Sequence, residues 1–346
     1  MSTAEPTRLG GAAAPASRPW LRRLLLSEYL VLALTVLYVA LMAPIAPELL
    51  AAATWADILG AMMPLLIIAI GQTFVLIVAG IDLSATSVLA MSSVMAAAVM
   101  TLDGPLGGAA PAIVVTAGIL TFMAVGGAIG AFNGACVTRL DMPPFIVTLT
   151  TMMFFSGAAI WVTTLLTDDG SSIGNLPRAF VFIGQGRVFG IPFSVLIAVV
   201  LGLLAHIVLS RTLYGRWLFA IGLNAHAAEV SGVPVRRVVF LAYVVSGLCA
   251  GLAAVIYTGR IETGTPVLGQ RILLDVVGAA VIGGVSLFGG KGKIVWTVYG
   301  ALFLTVIDKG LQLLGLSLAS TFAVKGGVIL AAAVLDAQRQ RLAARG

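Results

Sequence analysis

The sequence predicts an all-α, polytopic membrane protein of about ten transmembrane helices with both termini in the cytoplasm. Three observations carry that prediction. The chain of 346 residues is 60% hydrophobic and only 10% charged, against roughly 25% charged in soluble domains, and its mean hydropathy is +1.09. Long stretches carry no charge, each near the ~20 residues a helix needs to cross a hydrocarbon core. The basic residues are spread unevenly over the segments between those stretches, which sets an orientation in the bilayer.

Residues 1–27 are rich in small residues and end in a basic cluster. No clear cleavage motif separates them from the apolar run that follows, so they read as a disordered cytoplasmic tail rather than a targeting peptide. The membrane domain covers 28–337. Its first charge-free run is Tyr29–Pro47. Ile58–Leu102 is interrupted only by Asp82 and holds two spans. Gly104–Thr138, Met142–Thr167, Val188–Ser210 and Val238–Gly259 hold one each. Val276–Gly290, Ile294–Ile307 extended to Leu316, and Ser320–Leu335 complete the ten, and 338–346 form a second cytoplasmic tail.

With the N-terminus inside, fourteen basic residues fall on inner segments, and only Arg178, Arg187, Arg260 and Arg271 fall on outer ones. That is the positive-inside pattern. The net charge of +6 is thus accounted for by topology, and no nucleic-acid partner is expected. Cys136 and Cys249 sit in apolar segments as packing residues. His206 and His226 are far apart, and no His/Cys/carboxylate cluster has ligand spacing, so neither a metal site nor a catalytic centre is expected.

The longest inner loop, 211–237, contains IGLNAHAAEVSGVPVRR. Asn224 is suited to N-cap a helix, and the alanines after it favour helix, Ala228 among them. Gly232 stands where a left-handed residue ends one, and Pro234 prevents continuation. About two turns of helix therefore lie outside the bilayer. A plain connector needs no such double capping; a rigid element that docks on a cytoplasmic partner does.

Polar groups inside apolar spans tend to face a cavity or a partner. Gln72, Thr73, Asp82, Ser84 and Asn133 are the candidates for a translocation path. Asp82 also suits a second role, capping the third span. Asp308, Lys309 and Lys325 read as structural charges, with Asp308 pairing to Lys325 or Lys309. Gly126, Gly130 and Gly134, and likewise Gly247 and Gly251, recur every four residues, a spacing that lets membrane helices pack closely. GGVSLFGGKGK, residues 283–293, is not a phosphate loop. No Ser or Thr follows the lysine and no strand precedes it. It serves either as a tight inner turn anchored by lysines or as a direct contact for a partner.

Four stretches resemble the permeases of bacterial ABC importers, in their ribose/monosaccharide branch: GQTFVLIVAGIDLSATSVLAMSS (71–93), MPPFIVTLTTMMFFSG (142–157), AIGLNAHAAEVSGVPVRRV (220–238) and LLDVVGAAVIGGVSLFGGKGKIVWTVYGALFL (273–304). The resemblance covers Ile58 to Asp336 and departs at Ala85-Thr86, where relatives carry a small-residue pair with glycine. It implies a type II-like permease fold in the bacterial inner membrane. It implies two copies of this chain, an ABC ATPase subunit that binds the ATP, and a periplasmic sugar-binding protein, with no cofactor and no chemistry on this chain. Asn224, Ala228, Glu229 and Gly232 would then couple to the ATPase, with Glu229 meeting a basic residue there. Two alternatives stand beside a monosaccharide importer. One is an ion-coupled secondary transporter using Asp82 or Asp308. The other is a permease of the same superfamily for branched-chain amino acids or nucleosides.

Overall fold

The structure, a computed structural model, describes residues 29–101, 104–106, 108–167 and 170–343. Six helices among them are long and apolar enough to cross a membrane: α2 (Ala52–Ile77), α4 (Pro111–Arg139), α5 (Pro144–Leu166), α7 (Phe193–Arg211), α10 (Val235–Ile261) and α12 (Ile294–Leu313). The others are α1 (Leu30–Met42), α3 (Ala85–Met100), α6 (Arg178–Gln185), α8 (Leu213–Leu223), α9 (Ala225–Val230), α11 (Leu273–Gly283) and α13 (Leu318–Ala343).

Each of the ten expected spans overlaps one of these helices, but only six of the described helices are both long and apolar enough to cross alone. The clearest difference is the eighth span, expected over 276–290. Its helix, α11, has 11 residues, about 16 Å at 1.5 Å per residue, or half the hydrocarbon core. Gly284, with φ +118°, ends it, and a glycine-rich loop follows. The span expected from Val188 begins instead at Phe193. Residues 187–192 form a two-stranded hairpin, Arg187–Val188 against Ile191–Pro192, turned by Phe189 and Gly190, both at positive φ. The loop 211–237 holds two helices, α8 and α9, where one was expected. The tail expected over 1–27 lies outside the described residues. Helix α13 runs through the expected boundary at 338 to residue 343.

Helix α2 is the hub. Every side chain from Met62 to Ile77 is buried. It packs on α10, α12, α11 and α7. Helices α4, α5 and α7 expose apolar side chains such as Leu120, Phe154, Trp161 and Leu203, a surface suited to hydrocarbon. The closest crossing is α4 on α10. Gly126 and Gly247 face each other so tightly that a Cβ on either would collide with the carbonyl oxygen of the other. A Cβ on Gly130 would lie 2.5 Å from Tyr243 O, and one on Gly251 2.6 Å from Phe122 O. The four-residue glycine spacing therefore does the packing work expected of it.

The inter-element contacts sort the connecting segments onto two ends of the bundle. At one end, Arg236 pairs with Asp141 at 3.6 Å, and Gly290 N donates to Ile77 O at 2.9 Å. At the other, Ile173 and Gly264 exchange backbone hydrogen bonds of 2.8 and 2.9 Å. There Gln185 Nε2 also donates to Glu262 Oε1 at 2.7 Å, and Lys309 pairs with Asp57 at 3.5 Å. The first group joins segments expected inside and the second joins segments near those expected outside.

Candidate functional site: a capped surface helix above a buried polar knot

Thr212 opens α8 by accepting from Gly215 N at 3.2 Å. The helix buries Gly215, Leu218 and Ile221, one face of a helical repeat. Tyr214 anchors it, donating to Val238 O at 3.2 Å; burial pushes this phenol up, so it remains a neutral donor. The chain then extends at Asn224, whose Oδ1 accepts from Ala227 N at 2.9 Å and starts α9. Gly232 at φ +84° ends it. Gly232 N donates to Glu229 O at 2.9 Å and Val233 N to Ala228 O at 3.0 Å, the paired closure of a Schellman motif. Asn224 and Gly232 thus stand at the two ends of α9 as the sequence expects. Ala228 alone turns inward; Ala225, His226, Ala227, Glu229 and Val230 are exposed.

Three segments meet beneath this pair of helices. A Cβ on Gly222 would collide with Ile77 O and with Gly290 N, which are themselves hydrogen-bonded at 2.9 Å. The end of α8, the end of α2 and the glycine loop therefore share one contact, and α8 meets α2 backbone to backbone without an intervening side chain.

Five residues before Ile77, the Gln72 side chain holds the break between α2 and α3. Its amide donates to Asp82 O at 2.9 Å and accepts from Asp82 N at 3.2 Å. The Asp82 carboxylate accepts three hydrogen bonds: at Oδ1 from Ser84 N (2.9 Å) and Ser84 Oγ (2.6 Å), and at Oδ2 from Ser246 Oγ of α10 (2.7 Å). Ser84 Oγ in turn accepts from Asn133 Nδ2 of α4 at 2.7 Å. Thr148 of α5 donates to Ile81 O at 3.1 Å. A buried carboxylate is costly unless its lone pairs are used, and here they are used by donors from separate elements. The contact to Ser84 N is a local Asx turn just ahead of α3, so Asp82 serves the start of that helix and the knot together.

The structure thus brings Gln72, Asp82, Ser84 and Asn133 together. Thr73 stands apart, donating to Ala69 O at 2.8 Å and lying 2.8 Å from Thr297 Oγ1 of α12. All five are buried. Ser246 was not singled out by sequence; a serine in an apolar run carries no signal until its partner is known. Asp82→Asn keeps an acceptor for Ser84 and a polar group toward Ser246, whereas Asp82→Ala orphans three donors at about 1–3 kcal/mol each. The expected result is a near-normal yield of folded protein for Asn and a large loss for Ala, read by size-exclusion profile in detergent.

The three structural charges lie toward the other end. Lys325 Nζ of α13 sits 2.6 Å from Asp275 Oδ2 of α11 and 3.3 Å from Asp308 Oδ1 of α12. Gln312 donates to Asp308 Oδ2 at 3.0 Å. Asp308 pairs with Lys325 as expected, but Lys309 turns to Asp57. Both Asp308 and Lys309 lie in the last two turns of α12. Asp275, the shorter-range partner, was not anticipated.

Comparison with known proteins follows the same outline. Residues 54–333 match the family described as branched-chain amino acid transport system / permease component. The chain is 36% identical over 270 residues to the D-allose transport system permease protein AlsC of Escherichia coli K12, covering 78% of this chain and 79% of that one. It is 37% identical over 275 residues to the ribose import permease protein RbsC of Bacillus subtilis 168, covering 79% and 81%. It is 34% identical over 281 residues to the fructose import permease protein FrcC of Rhizobium meliloti, covering 80% and 76%. No solved structure matches.

Proposed function

The chain belongs to the branched-chain amino acid transport system / permease component family, and on that premise we propose that it is the membrane-spanning permease of an ABC importer that carries a monosaccharide. The observation that carries the reading is α9, a helix closed by caps at both ends, held by one buried alanine, with its remaining surface free. Relatives named for allose, ribose and fructose favour a sugar over the branched-chain amino acid or nucleoside alternatives. In this reading two copies assemble with a type II-like fold in the bacterial inner membrane, with both termini in the cytoplasm. An ATPase subunit lies beneath them and a periplasmic sugar-binding protein above. ATP is bound by the ATPase; the permease supplies a path.

The ATPase would move α9 through Glu229 and the caps at Asn224 and Gly232. Motion passes along α8 to Gly222, and from there to Ile77 and the glycine loop. The Asp82 knot lies one and a half turns further along α2. In the closed arrangement Gln72, Thr73, Asp82, Ser84 and Asn133 are sealed. Parting of α3 from α4 and α10 would turn the side chains of Gln72, Asp82, Ser84 and Asn133 toward a passing polyol, while Thr73, held against Thr297, would need α12 to part from α2 as well. The neutral amides of Gln72 and Asn133 suit a path that must release its cargo.

Purified permease, ATPase and binding protein in proteoliposomes should accumulate a monosaccharide only with ATP inside. Uptake by the permease alone, driven by an ion gradient, would replace this reading with the secondary-transporter one. Glu229→Arg and Gly232→Pro should each leave the chain inserted and reduce ATP-driven uptake by at least about tenfold. Gly232→Pro cannot adopt the positive φ that the end of α9 requires. Wild-type uptake in both variants would remove α9 from the mechanism.

A further inference from the structure

We propose that the ATPase subunit grips the permease at two points: the exposed face of α9 and, beside it, Phe288 at the tip of the glycine loop between α11 and α12. The inference rests on the importer reading and adds to it a second contact with a defined chemistry.

Phe288 is 72% exposed, and Leu223 and Val230 are each 77% exposed. These large apolar side chains do not lie on the outer faces of α4, α5 and α7. They belong to the connecting segments, which also carry the exposed Arg216, Arg237 and Lys291 and Arg236, paired with Asp141. The backbone at Phe288 is held by hydrogen bonds within the loop and to α2. Its N–H donates to Ser286 Oγ at 3.1 Å. Ser286 N donates to Lys291 O at 2.9 Å, closing the loop, and Gly290 N is fixed to Ile77 O at 2.9 Å. A Cβ on Gly290 would lie 2.7 Å from Leu223 Cδ2, and Leu223 leads directly into Asn224, the cap of α9.

Phe288 and α9 are therefore mounted on one backbone junction and keep a fixed spacing. An aromatic on a fixed backbone has only two side-chain torsions to lose on binding, and aromatic side chains dominate interface energetics. The arginines and lysine of the same connecting segments call for an acidic rim on the partner. The site it fits is an apolar notch with acidic edges, adjacent to the cleft that receives α9. An aromatic beside a lysine also suits a membrane-water interface. The shared junction with α9 favours a protein occupant, because a lipid contact would need no fixed relation to that helix.

The test uses the permease co-expressed with its ATPase subunit. A photo-crosslinking aromatic residue placed at position 288 should join the ATPase. Phe288→Ser should lower the ATPase retained per folded permease by at least about tenfold, and Phe288→Leu should restore most of it. Crosslinks to lipid alone, with retention unchanged in Phe288→Ser but lost in Glu229→Arg, would overturn the second contact and leave the importer reading standing. A wild-type permease that holds no ATPase would defeat the importer reading itself. Should Phe288→Ser reduce the folded permease, the crosslink decides, because that chain keeps an aromatic group at the position.

Discussion

Gly247→Leu should eliminate the folded permease. The residue faces Gly126 across the α4–α10 crossing, where even a Cβ would collide with backbone oxygen on the neighbouring helix. Overpacking against side chains costs about 1–3 kcal/mol, because side chains shift. A carbonyl in a helix ladder cannot shift without breaking the ladder or forcing the helices apart. The loss should therefore exceed that range, and α10 would also lose its register against Asp82, since Ser246 is the adjacent residue. The control is Gly157→Leu on α5, where no atom lies within 4 Å of the added Cβ. Detergent-extracted Gly157→Leu should elute as wild type, while Gly247→Leu should aggregate or fail to accumulate. Equal behaviour of the two would mean that the α4–α10 contact is looser than the structure has it.

Lys325→Met should be the second most damaging change. The lysine and Asp275 are nearly fully buried, with side chains only 9% and 10% exposed. Removing the cation that bridges Asp275 and Asp308 leaves an uncompensated buried charge, at about 3–5 kcal/mol. Asp275→Asn should cost less, because Lys325 keeps Asp308. Asp308→Asn should cost least, since that carboxylate is a third exposed and its contact is 3.3 Å rather than 2.6 Å. Replacing the pair together, Lys325→Met with Asp275→Leu, should recover much of the loss, as well-packed apolar substitutes for buried ion pairs often do. Thermal midpoints in detergent give the ranking. An Asp308→Asn variant as unstable as Lys325→Met would make Asp308, not Asp275, the anchor.

What the sequence made legible was what depends on near neighbours. Asn224 and Gly232 follow capping rules that act within four residues, and both hold. The glycine stripes carry their meaning in their own spacing. Asp275 was not legible, because its partner lies fifty residues away and an aspartate at a predicted span boundary looks solvated. Ser246 was hidden for the same reason. Helix α8 was readable in principle: Thr212 is a cap, and Gly215, Leu218 and Ile221 repeat at helical spacing, but the basic residues around them drew the segment into a loop. The half-length of α11 escaped because hydropathy does not distinguish an apolar helix from an apolar glycine loop; the pairs Gly283-Gly284 and Gly289-Gly290 were the signal.

The enclosure of α2 bears on how the protein is made. It precedes the other five long apolar helices in the chain and is more completely wrapped by protein than any of them, yet two of its principal partners, α10 and α12, are translated much later. Until they arrive, Gln72 and Thr73 lie in a helix whose surroundings in the nascent chain are translocon or lipid. Pro64, in the same helix, leaves a carbonyl of the preceding turn without its ladder donor. Insertion and assembly are therefore separated in time. The helix must first be accepted as a lipid-facing segment, on hydrophobicity alone, and then be withdrawn from lipid when the second half of the chain closes over it. In a chain whose own Cys136 and Cys249 are replaced by serine and which carries Gln72→Cys, ribosome stalling before α10 should leave that thiol open to a lipid-soluble maleimide, and chain release after α12 should close that window.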